Sequence, residues 1–309
     1  MSRIQRFISK RKRDIPFWFE IQKRKHTSIF NYERLAQDME LVTIEYPFNA
    51  YYGLANVVKK MEGIPRRKRL EASIEHGIRY VDDDIWSDLL LKDTIYIFGN
   101  ARAEWLRKIH PDKNIVTHRN FLAYVKGMYS SDTIQRLKEK NGKTLLCIPT
   151  HSTHHVADVF NQDVLIDKIE KLKEEYAFKT VMVCLYWKDI LQGRQVPYVE
   201  AGYTVVTAGH IYDGFFLNRL KSILQLSDVV VTNDGGSHVG YAVYEERPVY
   251  LFYVPLEHVA LDDEVDMSEY GKTEGYMSFT SELRRLFGEY SEEINEEQRE
   301  FVRAHWGDF

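Results

Sequence analysis

The stretch Asp228–Tyr253, DVVVTNDGGSHVGYAVYEERPVYLFY, decides the fold class of this chain. An unbroken β-branched run, Asp228–Thr232, leads into a polar turn with two glycines. A short apolar helix to about Glu246 follows, and a second apolar run begins at Pro248. Strands without polar alternation are buried on both faces, as in a parallel sheet covered by helices. The stretch therefore predicts one strand–helix–strand unit of a Rossmann-like sheet.

The same alternation extends over the whole C-terminal half. It predicts strands at Lys143–Pro149, Thr180–Tyr186, Tyr203–Ala208 and Pro248–Tyr253, with helices at His155–Ala177 and Phe215–Leu226. The N-terminal half is less regular, with strands predicted at Leu41–Glu45, Leu70–Glu75, Thr94–Phe98 and Ile115–Thr117 and a helix at Arg102–Ile109. A polar helix, Ser130–Gly142, separates the halves, and a last helix in Ser291–Trp306 is predicted to cross back to the first. We expect an α/β protein of two Rossmann-like domains facing a cleft, residues 1–135 and 136–309.

Composition excludes several classes of protein. The net charge of −4 over 309 residues argues against a general nucleic-acid binder. No apolar run approaches the ~20 residues of a membrane span, and the first residues lack the apolar core of a signal peptide. Cys147 and Cys184 lie in predicted strands, which favours buried reduced thiols. We therefore expect a cytoplasmic protein.

Residues 1–25 are rich in lysine and arginine, with aromatic residues interleaved. Such a segment can lie on an anionic membrane surface at the inner membrane face. The alternative, which the pattern favours, is a solvated basic helix that packs its aromatic side chains on the protein.

Polar loops follow three of the predicted strands at the edge where parallel sheets bind ligands. Five of the eleven histidines fall in these loops. The residues predicted to bind a ligand are Thr150, His151, Ser152, Gly209, His210, Asn233, Gly235, Gly236, Ser237 and His238. The Gly235–His238 turn opens a helix, where free N–H groups bind phosphate. The alternative for that turn is a plain glycine turn capped by Ser237.

The stretch Tyr203–Tyr253 resembles the C-terminal nucleotide-binding domain of GT-B glycosyltransferases, particularly enzymes that build bacterial surface polysaccharides. The similarity lies in the loop Thr232–His238, the helix through Tyr241 and Ala242, and Arg247-Pro248-Val249. It covers about fifty residues well and the rest only in architecture. The acidic E-x(7)-E spacing of retaining members is missing here, so the resemblance favours inversion. It implies a nucleotide-sugar donor held by the C-terminal half, without a metal or other cofactor.

Glu75-His76-Gly77 ends the predicted strand LEASIE. A histidine before glycine at a strand end is similar to an element of glycerophosphate and capsule-sugar transferases. Histidine suits a general base near neutral pH, so His76 is predicted to deprotonate an acceptor hydroxyl. Glu75 is either the base itself or the group that orients His76. The alternative is a strand-end histidine that satisfies a backbone group.

Two clusters invite a metal hypothesis. Three adjacent carboxylates, Asp82-Asp83-Asp84, can hold Mg²⁺, but consecutive side chains rarely point at one ion, so a solvated turn or helix cap is favoured. His151, His154 and His155 suggest zinc, but no cysteine or HExxH motif accompanies them.

The sequence thus predicts a glycosyltransferase that moves a sugar from a nucleotide donor to a glycan or lipid-linked acceptor. A sugar-nucleotide epimerase of the same shape is the first alternative, a histidine-ligated metal hydrolase the second, and a non-catalytic binding protein the third.

Overall fold

Parallel β-sheets form the framework of the chain in the computed structural model, which describes residues 17–83, 85, 87–152, 156–261 and 273–309. A three-stranded sheet precedes a five-stranded one, and an antiparallel pair lies beside the latter. The strands are β1 (Ser73–Ile74), β2 (Thr94–Ile97), β3 (Asn114–Thr117), β4 (Thr144–Cys147), β5 (Val156–Phe160), β6 (Thr180–Cys184), β7 (Thr204–Val206), β8 (Val229–Thr232), β9 (Val249–Leu251) and β10 (Leu256–Ala260).

Helices connect and cover these strands. They are α1 (residues 17–25), α2 (Tyr32–Ala36), α3 (Pro47–Ala50), α4 (Leu54–Met61), α5 (Asn100–Ile109), α6 (Ser131–Asn141), α7 (Gln162–Glu175), α8 (Trp187–Leu191), α9 (Val196–Glu200), α10 (Phe216–Leu226), α11 (Ser237–Tyr244), α12 (Glu274–Phe287) and α13 (Glu296–Trp306), with 3₁₀ turns at Tyr51–Gly53, Ser87–Leu91 and Phe121–Tyr124. Several starts are fixed by side-chain caps: the Asn161 side chain accepts from the N–H groups of Asp163 and Val164, and Asn295 forms a reciprocal capping box with Gln298.

The five-stranded sheet has the order β7-β6-β4-β8-β9, and all its neighbours are parallel. The five strands predicted for this half are confirmed. In chain order, β6 pairs with one side of β4 and β7 with β6. The next strand, β8, pairs with the other side of β4. The order of the strands therefore reverses between β4 and β8, and in open α/β sheets such a switch point is where ligands bind.

The N-terminal sheet, β1-β2-β3, is parallel as well. Three of its four predicted strands are confirmed, but the strand predicted at Leu41–Glu45 is wrong. Those residues follow an irregular path. The Glu45 carboxylate there is ion-paired with the buried Lys59 and accepts the Leu70 N–H at 2.8 Å. The Glu45 side chain, and not a paired strand, thus bonds this segment to the backbone of Leu70.

The predicted helix His155–Ala177 is wrong at its start. Residues Val156–Phe160 form β5, which pairs with β10 in antiparallel register, and α7 begins only after Asn161. Val156 and Val159 fit the spacing of either structure, and the partner strand lies about a hundred residues away. The hydrophobic spacing within residues 155–177 carries no information about a partner strand so far along the chain.

One hydrophobic cluster includes residues of both halves, among them Ile74, Phe98, Leu146 and Val230. The predicted return of the last helix is confirmed, because α13 packs on both α5 and α11. Its Trp306 is fully buried against Gly240, where a side chain would not fit. The division at residue 135 remains a prediction.

A buried arginine anchors the first helix to the C-terminal half. Arg24 donates to the carbonyl oxygens of Leu35 (2.9 Å) and Gln37 (2.6 Å), and its own carbonyl accepts from Arg219 at 2.7 Å. Arg219 also pairs with the buried Asp213 at 2.9 Å. This network fixes the segment after β7 against residues 24–37.

Both cysteines, Cys147 and Cys184, are buried and unbonded, as predicted. Within the described residues, no helix has the length and apolar character needed to cross a bilayer.

Tyr52 and Gly53 fix the contact between the 3₁₀ turn after α3 and the loop after β7. Tyr52 has a φ of 56°, rare for a bulky residue, and its N–H donates to the Ile211 carbonyl at 2.6 Å. Gly53 has a φ of +77°, and a Cβ there would lie 2.7 Å from the Gly214 carbonyl oxygen. The close approach of these two loops therefore requires glycine at position 53.

We expect Gly53→Ala to lower the free energy of unfolding in urea by about 2–4 kcal/mol, from left-handed strain and the backbone clash together. Gly63→Ala is the matched control. Gly63 has a φ of +64° but open space around its Cα, so only about 1 kcal/mol of strain is expected. Equal losses of unfolding free energy in the two variants would show that the close approach of the Gly214 backbone does not require glycine at position 53.

Candidate functional site

The switch point of the five-stranded sheet is held by one side chain. Asn233 follows β8 and is 7% exposed, and its Oδ1 accepts the Thr150 N–H at 2.9 Å, which ties it to the end of β4. Within the described part of the chain, its Nδ2 has no hydrogen-bond partner. A buried amide that lacks a partner costs free energy unless a ligand satisfies it. Its position at the switch point makes the Asn233 amide a candidate ligand contact.

The N-terminus of α11 lies three residues further on. Its cap is Gly236, which offers no side-chain hydrogen bond to the first turn. The alternative interpretation, a glycine turn capped by Ser237, is therefore wrong. Ser237 is the first helical residue, and its Oγ accepts the Ile78 N–H at 3.0 Å. The Val239 N–H donates to the Gly236 carbonyl at 3.1 Å, so the first turn of α11 offers a ligand the N–H groups of Ser237 and His238 and the positive end of the helix dipole.

Gly235 is required by packing. A side chain at this position would collide with Leu283 of α12. The glycine therefore lets α12 approach the turn, which adds a structural reason for it beside the predicted contact with a ligand.

His238 and His210 both form hydrogen bonds with other residues of the protein. His238 Nε2–H donates to Thr232 Oγ1 at 2.9 Å, and burial lowers the pKa of His238 to about 3. His210 is 1% exposed, accepts the Tyr212 N–H on Nδ1 and donates from Nε2 to Asp38, and burial lowers its pKa to about 4. Both rings are neutral at pH 7, so neither supplies a positive charge to a ligand.

The residues of the loop after β4 have two different roles. His151 is exposed and stacks on the Tyr186 ring at 4.3 Å, so it is accessible to a ligand. The Thr150 hydroxyl donates to the Asp158 carboxylate, and Ser152 Oγ accepts the Asp158 N–H at 3.1 Å. These two hydroxyls hold β5 in place. Thr153, His154 and His155 lie outside the described residues.

Gly209 shapes the loop after β7. Its φ is +98°, and its N–H donates to Thr207 Oγ1 at 3.1 Å. The Arg219 guanidinium lies where a Cβ would begin to crowd it. This glycine allows the turn that carries His210.

His76, at the carboxyl end of β1, packs edge-on against Tyr51 with a centroid distance of 4.8 Å. Burial, aided by the charge of Arg79, lowers the pKa of His76 to about 4, so the imidazole is neutral at pH 7. Because the Ile78 N–H bonds to Ser237, the turn after His76 lies directly against the start of α11. The structure thus brings the loop that follows His76 into contact with the start of α11.

Glu75 serves a different purpose. Both of its carboxylate oxygens accept from Arg102, at 2.8 to 3.2 Å, and both residues are buried. Arg102 also donates to the carbonyl oxygens of Tyr80, Val81 and Asp83. Removing one partner of such a buried pair costs about 3–5 kcal/mol. The geometry gives Glu75 a structural role in holding the segment after His76.

No known family model matches the chain, and no match is found among the curated proteins.

The acidic run after β1 is used as a cap. The Asp82 carboxylate accepts from Thr273 Oγ1 at 3.1 Å and from the Gly275 N–H at 2.9 Å, at the start of α12. The predicted helix cap is confirmed for Asp82, while Asp84 lies outside the described residues. In the part of the chain that the structure describes, no cluster of three or more His, Cys, Asp or Glu residues has the geometry of a metal site.

Surface grooves of about 890 and 250 Å³ lie away from the switch point. Lys126 and Lys138 line the larger one and His118 the smaller. Lys138 is ion-paired with Asp228, which reduces the charge available to a ligand there. The candidate site is thus assigned by its polar groups at the sheet edge and not by enclosed volume.

Sequence reasoning missed one pair at this edge. His258 of β10 lies directly opposite Asp158 of β5, and its Nδ1 is 2.7 Å from Asp158 Oδ1. The available signal was a lone histidine in the alternating sequence Leu256–Ala260, and nothing local connects it with Asp158.

Proposed function

We propose that the chain is a glycosyltransferase of the GT-B type. It would transfer a sugar from a nucleotide-activated donor to a glycan or lipid-linked acceptor, with inversion and without a metal. The observation that carries the proposal is the unpartnered Nδ2 of the buried Asn233 at the switch point, beside the N-terminus of α11.

A donor phosphate fits the groups around Asn233. The amide Nδ2 and the first N–H groups of α11 are all donors, and the helix dipole adds partial positive charge. In a transfer reaction, negative charge develops on the departing phosphate, and preorganised donors stabilise that charge most. Ser237 contributes by holding the opposite loop, and the exposed His151 is available to the sugar or base.

A two-domain arrangement around this point is supported by the contact between the halves. The carboxyl end of β1 in the first sheet and that of β8 in the second meet through the Ile78 N–H and Ser237 Oγ. An acceptor bound near His76 would then face a donor bound near Asn233. The GT-B proposal requires this placement, with the acceptor on one half and the donor on the other.

In the proposed step, the acceptor oxygen bonds to the anomeric carbon of the sugar. The bond from that carbon to the donor phosphate breaks, and its electron pair passes to the phosphate oxygen. The acceptor proton passes to His76, whose ring is neutral at pH 7, although a pKa of about 4 makes it a weaker base than the histidine expected from the sequence. Glu75 is not assigned as base, because Arg102 occupies both of its oxygens.

The basic first segment supports a membrane-bound acceptor. Residues 1–16 lie outside the described residues, but α1 exposes Trp18 (56%) and Phe19 (54%) while the buried Arg24 anchors its end. Exposed aromatic side chains on a basic helix suit an anionic membrane surface. We include peripheral contact at the inner membrane face in the proposal.

We predict that at least one of UDP, GDP, CMP, CDP and ADP raises the melting temperature, and that Asn233→Asp weakens its binding. Aspartate keeps the Oδ1 acceptor for Thr150 but replaces the donor Nδ2 with a charged oxygen. The lost charge-assisted bond alone amounts to about 1.5–3 kcal/mol, measured by calorimetry.

Asn161→Asp is the matched control, since aspartate also caps α7 well and the Asn161 side chain bonds to the N–H groups of its own helix, those of Asp163 and Val164. Thermal denaturation checks that both variants are folded. Unchanged nucleotide affinity in Asn233→Asp, or no response to any of the five nucleotides, would contradict the proposal.

We predict that His76→Ala slows sugar transfer by about 10²–10⁴-fold with donor affinity unchanged. The assay follows nucleotide release as the best-binding nucleotide sugar transfers its sugar to water. Because the base must be unprotonated, the wild-type rate should fall as the pH drops through about 4, and this limb should vanish in the variant.

Two comparisons sharpen that assay. Glu75→Gln should lower stability but leave the rate per folded molecule far less affected than His76→Ala. Free sugar plus nucleotide indicates transfer, whereas an epimerised nucleotide sugar indicates the alternative epimerase. A near-normal rate in His76→Ala removes His76 from the mechanism.

A further inference from the structure

A groove of about 890 Å³ lies between α6, α10 and the linker segment, residues 125–130. Hydrogen bonds hold the linker segment on α10. The Lys126 carbonyl accepts from Asn218 Nδ2 at 2.7 Å, and the Tyr129 N–H donates to Ser222 Oγ at 3.2 Å. One wall of the groove is therefore fixed by the fold.

Part of the lining of the groove is apolar. Four half-buried side chains contribute it: Val125, Met128, Tyr129 and Ile134. Pockets that bind organic molecules typically have volumes of about 300–1,000 Å³ and combine an apolar lining with a few polar groups. The groove has the size and the kind of lining that suit an organic ligand.

The charged residues of the lining leave an excess of positive charge. Lys138 is paired with Asp228 at 2.6 Å, and Lys221 is paired with Glu245 at 3.1 Å. In the described part of the chain, the two other cations of the lining form no ion pair; they are Lys126 and Arg247. One carboxylate, that of Glu139, also lines the groove. Two unpaired cations thus face one carboxylate, which favours a ligand with an anionic group.

Arg247 provides a specific donor for such a group. Its Nε is buried and has no hydrogen-bond partner among the described residues. The adjacent Glu246 directs both of its carboxylate oxygens to Arg299, at 2.8 and 2.6 Å. A buried donor without a partner costs free energy unless a ligand satisfies it, and the guanidinium group matches the geometry of phosphate. The groove is therefore suited to a ligand that combines a phosphate with an apolar part.

The groove is connected to the first helix. The Tyr129 hydroxyl accepts the Ile29 N–H at 3.1 Å and lies 3.1 Å from Ser28 Oγ. These two residues follow α1, which exposes Trp18 and Phe19. The wall of the groove is thus bonded to the segment directly after the helix that is proposed to contact a membrane.

We propose that this groove binds the head group of an anionic phospholipid. The phosphate contacts Arg247 and Lys126, and the glycerol and the first acyl carbons lie on the apolar lining. The choice of a lipid as the source of the phosphate rests on the membrane contact of α1 in the proposed function. Residues 1–16 are rich in lysine and arginine, so their charge does not complement the groove.

The test measures binding of dihexanoyl phosphatidylglycerol to the full chain by calorimetry, below the micelle concentration of this short-chain lipid. A soluble lipid removes the general attraction of a charged membrane surface. Lys126→Gln and Arg247→Gln should each weaken binding by about tenfold or more, because each loses a charge-assisted contact. Lys171→Gln makes the same change at an exposed lysine of α7 and should bind as wild type does. Wild-type affinity in both groove variants would overturn the proposal.

Two further ligands distinguish a lipid from a free phosphate ester. Glycerophosphate carries the phosphate without acyl chains and should bind at least about tenfold more weakly, since each buried methylene contributes about fourfold in affinity. Dihexanoyl phosphatidylcholine should also bind more weakly, because its choline cation cancels the charge of its phosphate. Equal affinity for glycerophosphate would show that the groove binds a free phosphate ester and would overturn the assignment to a lipid.

Trp18→Ala separates the groove from the membrane contact of α1. This variant should sediment less with phosphatidylglycerol vesicles but bind the soluble lipid as wild type does. If wild type binds the soluble lipid but no vesicles, the head-group site stands and the membrane contact of α1 fails. If wild type does not bind the soluble lipid, the groove proposal is overturned, whereas a missing response to all five nucleotides overturns the proposed function alone.

Discussion

The hydrogen bond from the Thr150 N–H to Asn233 Oδ1 joins the two strands at which the order of the large sheet reverses. It fixes the ends of β4 and β8 relative to each other and leaves Asn233 Nδ2 unsatisfied at that point. The Thr150 side chain extends the connection to Asp158 and so to the β5–β10 ribbon. The N-terminus of α11, the loop after β1 and the ribbon are all placed around this bond. A phosphate at Asn233 would complete a network that is otherwise satisfied from within.

Environment gives chemically identical histidines different states at this edge. Burial without a carboxylate lowers the pKa of His76 to about 4 and of His238 to about 3, so both are neutral. The hydrogen bond to Asp158 and the charge of that carboxylate raise the pKa of His258 above its ordinary value. Pairs of titratable groups whose pKa values are pushed apart are the usual arrangement of acid and base in enzymes. The proposed role of His76 toward the acceptor rests on its place at the carboxyl end of β1, in the loop that contacts the start of α11.

Much of the framework was predictable because parallel strands buried on both faces leave a local signal, the unbroken β-branched run. The position of the candidate site also follows from the sequence, since the loops at the carboxyl ends are adjacent in sequence to those runs. The use of each loop residue was not predictable. Ser237 is occupied by the N–H of Ile78, 159 residues away, and Glu75 by Arg102 from another element. The β5–β10 pairing, and with it the Asp158–His258 pair, depends on contacts that no local pattern contains.

A crystal structure of the chain with the best-binding nucleoside diphosphate tests the central claim most directly. The account predicts a phosphate oxygen within about 2.7–3.2 Å of Asn233 Nδ2 and of an N–H in the first turn of α11. It further predicts that the Thr150–Asn233 bond is retained, since Oδ1 and Nδ2 act independently. A nucleotide bound elsewhere, with Asn233 Nδ2 still unsatisfied, would contradict the account.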